Sequence, residues 1–215
     1  MSGLRMTGRL RSLALVLAAG AFMVAGLSST AAYATEAAPL SVEPQLGIQF
    51  NPDGDAGQCG GTTGDQWATS PNWTQAIRFD TDDRAGGCQL AFGVNDPDGT
   101  LAGSSISYQL TRSAGGVGQC GDNLGVNTVP ILPIPVFGAP VRVDTDSQPG
   151  WCNLTFTVTG RIVLDIQLYA DGDAGQCSDA SPVTHYAFAG TPVTVKIDTD
   201  NRAGGCQFLL RLRHF

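Results

Sequence analysis

The 215-residue chain has a single lysine, Lys196, and two glutamates, Glu36 and Glu43, and only 14% of its residues are charged. Soluble globular proteins usually carry about 25%. Long exposed helices draw on Lys, Glu and Arg, so this scarcity argues against a coiled coil or helix bundle. His185 and His214 are the only imidazoles, and no H-E-x-x-H or G-x-S-x-G segment occurs. With those signatures missing, and with no C-x-x-C pair for zinc, the expectation is a protein that is not an enzyme. Cations are also few, 12 against 19 acids for a net charge of −7. Nucleic acid needs basic patches that release phosphate counterions, so no nucleic-acid partner is expected.

The chain is rich in turn formers, with 28 Gly and 12 Pro, and 42% of it is hydrophobic. Arg5, Arg9 and Arg11 precede an uncharged apolar run from Leu13 to Leu27, and Ala32-Tyr33-Ala34 follows. This is the pattern of a secretory signal peptide over residues 1–34. The apolar run is short against the roughly 20 residues of a bilayer span. Export would leave Thr35–Phe215, with nine cations, nineteen acids, all six cysteines and no membrane span. That length suits a single domain, and an extracellular, oxidising location makes disulfides the expected fate of the cysteines.

Past a short N-terminal segment, 35–45, the sequence repeats itself in three units, 46–102, 103–160 and 161–215. Leu46-Gly-Ile-Gln-Phe50, Ile106-Ser-Tyr-Gln-Leu110 and Leu164-Asp-Ile-Gln-Leu168 open them. Gln-Cys recurs at 58–59, 119–120 and 176–177. Asp-Thr-Asp, five residues, then Cys recurs at 80–88, 144–152 and 198–206. Such self-similarity at fixed spacing marks homologous units. Apolar residues alternate with polar ones after each later Cys, as in Cys152, Leu154, Phe156 and Val158, which is the period of a half-buried strand.

The expected fold is therefore all-β, with strands A (46–50, 106–110, 164–168), B (76–80, 140–144, 193–198) and C (88–94, 152–158, 206–212) in each unit. The Asp-led turn between B and C reads as a hairpin, and each C is expected to pair with the next A. The last C would then close on the first A. A closed threefold β-trefoil or β-prism follows if segments 66–69, 127–132 and 182–188 supply a fourth strand, and a β-sandwich is the alternative. Six cysteines allow 15 pairings. The repeat selects one bridge per unit: Cys59–Cys88, Cys120–Cys152 and Cys177–Cys206.

Two groups of residues are candidates for binding. Asp53, Asp55, Asp80, Asp82, Asp171, Asp173, Asp198 and Asp200 cluster on Gly-containing turns, where hard oxygen ligands suit Ca²⁺. The middle unit lacks the Asp-Gly-Asp part, so two calcium ions per chain are expected if these clusters bind metal. The same residues also suit Asx-turn caps, and Asp-Gly turns are far commoner than metal sites, so capping is the favoured reading. The second group is the loop aromatics and their neighbour: Trp67, Trp73, Phe137, Trp151, His185 and Tyr186. Rings on the variable loops of a stapled frame, with Asp and Asn nearby, suit stacking on sugars. The expected function is a secreted, carbohydrate-binding, lectin-like protein with an extracellular glycan as partner. The alternative is a protein-interaction module or inhibitor that uses the Pro-rich loop 129–135.

Overall fold

A computed structural model of the chain describes residues 41–54, 59–80, 86–113, 120–121, 125–144, 150–172, 175–198 and 204–215. These residues form fourteen strands and no helix. Three separate sheets result. In sheet I, β1 (Gln45–Gly54) lies between β3 (Gly64–Thr69) and β5 (Gly86–Asn95). In sheet II, β6 (Ser105–Arg112) lies between β7 (Val126–Thr128) and β10 (Cys152–Thr159). In sheet III, β11 (Ile162–Gly172) lies between β12 (His185–Ala187) and β14 (Gly204–His214). Thus strands A and C of one unit pair with each other, and the variable segments add an outer strand beside A.

The B strands do something the sequence did not suggest. Strand β9 (Val141–Asp144), from the second unit, pairs with β5 of the first. Strand β13 (Val193–Ile197), from the third, pairs with β10 of the second. Strand β4 (Ile77–Asp80), from the first, pairs with β14 of the third. Every B strand therefore lies in another unit's sheet, and the expected B–C hairpin and C-to-next-A pairing are both absent. The two-residue link at Gly160-Arg161 carries the chain out of sheet II and into sheet III. The sheets do not close into a barrel, so the barrel of a β-trefoil is not the arrangement.

All three expected disulfides form, with Cα–Cα separations of 5.5–5.7 Å. Each lies within one unit in sequence but joins two sheets in space. Cys59, in β2 (Cys59–Gly61), sits on β4 of sheet III, while Cys88 belongs to sheet I. Cys120 bridges to Val143 of sheet I, and its partner Cys152 is in sheet II. Cys177 bridges to Ile197 of sheet II, and its partner Cys206 is in sheet III. The three bonds form a ring of inter-sheet staples.

The inward faces meet in one core. Leu46, Ile48 and Phe50 of β1, Ile106, Tyr108 and Leu110 of β6, and Leu164, Ile166 and Leu168 of β11 are all buried. One phenylalanine from the central strand of each sheet, Phe92, Phe156 and Phe208, meets the other two at centroid distances of 5.2–6.3 Å. These are favourable separations for aromatic pairs. The Tyr108 hydroxyl donates to the Ala139 carbonyl, and burial pushes its pKa up to about 12.

Two predictions follow from this packing. Each bridge closes a loop of about 30 residues, so the Cys59→Ala/Cys88→Ala pair should lower unfolding free energy by about 3–4 kcal/mol in urea titration. Tyr108 also favours its neutral form in the folded state, against about 10 when unfolded. Its contribution is therefore complete below pH 10 and fades as pH rises towards 12, by up to about 2–3 kcal/mol. Tyr108→Phe should remove that alkaline slope from the pH dependence of stability.

Candidate binding surface

Side chains alternate between the two faces along a strand, so the outer face of each sheet carries one row of residues at the same level. In sheet I the row is Trp67–Gly47–Gly93. Trp67 lies flat on the strand because Gly47 has no side chain; a Cβ there would sit 2.7 Å from the ring. A methyl on Gly93 would meet the Val136 carbonyl oxygen. Phe137 closes on Trp67 at 4.9 Å between centroids. This face is covered by its own chain.

In sheet II the matching row is Thr128–Ser107–Thr157. Thr155 and Thr194 share a hydrogen bond of 2.8 Å on the same face, and Ser105 and Thr159 share one of 2.7 Å. Near the end of this surface Lys196 pairs with Asp198, and its ammonium lies 4.5 Å from the centre of the Trp151 ring.

In sheet III the row is Tyr186–Asp165–Arg211–Trp73. Asp165 has no exposed surface. Its Oδ2 accepts from Arg211 Nε at 2.7 Å and Arg213 Nε at 2.9 Å, and its Oδ1 accepts from Arg213 Nη2 at 2.7 Å. The Arg211 guanidinium lies 4.5 Å from the centre of the Trp73 ring, and that of Arg213 lies 5.5 Å from Tyr186. The hydrogen bond to Asp165, opposed by burial, raises the Arg213 pKa above its ordinary value, so this cation is fixed at any working pH. His185 pairs with Asp179 at 2.7 Å at the edge of the same sheet.

Trp73 also lines a second feature. A groove of about 420 Å³ is lined by Trp67 and Trp73 together with Asp65, Thr69, Asn72 and Gln75. Asp65 accepts from Gln49 Nε2 at 2.8 Å, and Gln75 meets the Thr62 hydroxyl at 2.8 Å. Of the six expected ring-bearing positions, Trp73, His185 and Tyr186 thus gather on sheet III. Trp67 and Phe137 pack together on sheet I, joined to Trp73 by the groove, and Trp151 stands apart beside Lys196.

The described acidic candidates are held in ion pairs, two of which cross between units. Arg142 binds Asp144 at 2.5 Å and Asp53 at 2.7 Å, tying the second unit to the first. Arg78 binds Asp80 at 2.6 Å and Asp171 at 2.9 Å, tying the first to the third. Asp198 binds Lys196 at 2.9 Å. Because the B strands change sheets, Asp80 and Asp144 are linked through these arginines to the A-strand end of a neighbouring unit rather than their own. Asp53, Asp80, Asp171 and Asp198 are all engaged by cations. Asp55, Asp82, Asp173 and Asp200 lie outside the described residues. Among the described residues, no group of three or more His, Cys, Asp or Glu is placed to hold a metal.

Asp165, Arg211 and Arg213 were not among the expected site residues. Aligning the units exposes them: they occupy outward positions where the first unit has Gly47, Gly93 and Asn95 and the second has Ser107, Thr157 and Thr159. No protein-family model matches the chain, and no curated protein or solved structure matches it. Removing the carboxylate should be costly, since it leaves two neighbouring guanidiniums without their counter-charge. Asp165→Ala is expected to lower stability by about 2–4 kcal/mol, measured by denaturant unfolding.

Proposed function

We propose that the protein is a secreted, non-enzymatic binding protein, prism-like in its three-unit arrangement, that takes carbohydrate in the groove between Trp67 and Trp73. The groove itself carries this reading. Its lining brings two tryptophans together with a carboxylate, two hydroxyls and three side-chain amides. Sugars offer apolar ring faces to aromatics and hydroxyls to planar polar groups, so the groove offers partners for both. Three disulfides suit an extracellular location, and no helix among the described residues is long and apolar enough to cross a membrane.

Loop 129–135, the basis of the protein-partner alternative, is divided. Val129 is buried and donates to Ile106, Pro130 accepts from Val94, and β8 (Ile131–Leu132) pairs in parallel with β5. The stretch after it projects further, with Ile134 58% exposed. That exposed isoleucine keeps protein recognition as a second reading, and a point substitution tests it without removing β8.

A glycan array is the direct test. The chain should bind a defined subset of glycans, Trp73→Ala should weaken that binding at least tenfold, and Asn72→Ala several-fold. Ile134→Asp should leave it unchanged. A protein partner captured by the parent chain and lost with Ile134→Asp, together with a blank array, would favour the second reading.

A further inference from the structure

The charge on the outer face of sheet III is balanced differently from that around Arg78 and Arg142. At the ends of β4 and β9, each arginine is held by two carboxylates: Arg78 by Asp80 and Asp171, Arg142 by Asp144 and Asp53. On sheet III the ratio is inverted, with two arginines sharing the single carboxylate of Asp165. Asp165 neutralises one guanidinium and leaves one positive charge over. The surplus is held in place, because each arginine uses Nε and Nη2 on Asp165 and rests against an aromatic ring. The Nη1 groups take no part in these bonds, and the side chains stay 28% and 36% exposed.

We infer that Arg211 and Arg213 form a subsite for a single anionic group, the carboxylate or sulfate of an acidic glycan whose sugar rings run on into the groove at Trp73. The inference rests on the carbohydrate reading for its glycan part and on the arginine pair alone for its anion part. A planar guanidinium offers paired N–H donors that match the oxygens of carboxylate or sulfate, and Arg is weakly hydrated enough to give up water for them. The guanidiniums need little reordering on binding, since Asp165 and the two rings already hold them. The partners Trp73 and Tyr186 come from the first and third units, so the subsite exists only because β4 and the segment before it lie against β14. The chain is acidic overall, and a polyanion would be repelled by most of its surface. Binding should therefore be local to this face and register-specific rather than diffuse.

The test measures affinity of the purified full chain for polygalacturonate, dextran sulfate and neutral dextran of matched length by isothermal titration. At low salt, one or both polyanions should bind at least tenfold more tightly than neutral dextran, and the preference should shrink as ionic strength rises. Carboxylate and sulfate are separated by which polyanion binds more tightly. Arg213→Gln, which leaves Arg211 on Asp165, should abolish the preference. Arg213→Lys keeps the charge without the fork and should restore it only in part. Tyr186→Ala, at a half-exposed position, removes the supporting ring without touching either cation and should weaken it several-fold. Inorganic sulfate provides the separate readout: at millimolar concentration it should raise the melting temperature of the parent chain but not of Arg213→Gln. If sulfate protects the parent alone while no glycan binds, the anion subsite stands and the carbohydrate reading fails. If neutral dextran binds as tightly as the polyanions, or Arg213→Gln keeps both the preference and the sulfate effect, the subsite is overturned.

Discussion

The structure depends on the exchange of B strands between sheets. A four-residue strand such as β4 or β9 completes a neighbour's sheet, and the cysteine beside it is bonded back to the sheet of its own unit. Hydrogen bonding thus pulls each B strand one way while the disulfide holds its flank the other way, and neither sheet can leave without breaking both. The core is shared for the same reason. Phe92, Phe156 and Phe208 come from three sheets, and none of them is buried by its own sheet alone. The ion pairs of Arg78 and Arg142 lie at the same junctions, where an incoming B strand meets the end of a neighbour's A strand. Exposed pairs of this kind add little stability individually, but they favour the exchanged arrangement over a hairpin within one unit.

With the frame set by inward residues, the outward ones are free to differ. Position for position, the three sheets carry glycine under tryptophan, a row of hydroxyls, and an arginine pair on aspartate. The first face is closed by its own loop, the second is mostly uncharged hydroxyls with Lys196 near its end, and the third is charged and flanked by the half-buried Trp73 and the exposed Tyr186. One scaffold therefore presents three chemically distinct surfaces. The candidate site lies where two of them adjoin, with Trp73 serving both the groove and the arginine pair.

Much of this was legible in the sequence. Alternation placed strands A, B and C, and the fixed Asp-Thr-Asp to Cys spacing selected the bridges, because duplicated units keep equivalent contacts. The fourth strands at β3, β7 and β12 fell in the segments expected to supply them. Strand exchange was not legible, because Asp-Thr-Asp followed by a Gly-containing turn suits a hairpin as well as a crossover, and local signals do not report which sheet a strand joins. The contact of Asp53 with Asp144 across units, through Arg142, was hidden for the same reason. The arginine pair was missed because Arg211 and Arg213 read as ordinary outward polar residues of an alternating strand. Only the cross-strand register brings them to Asp165, Trp73 and Tyr186.

If exchange makes the three sheets interdependent, they should open as one unit. Native-state hydrogen exchange in low denaturant measures this directly, strand by strand. Amides of β4, β9 and β13 should converge on the same opening free energy as those of the central strands β5, β10 and β14, equal to the global value. Three distinct opening energies, each shared by the strands of one sheet, would contradict the account, because they would show sheets that unfold independently of the strands they exchange.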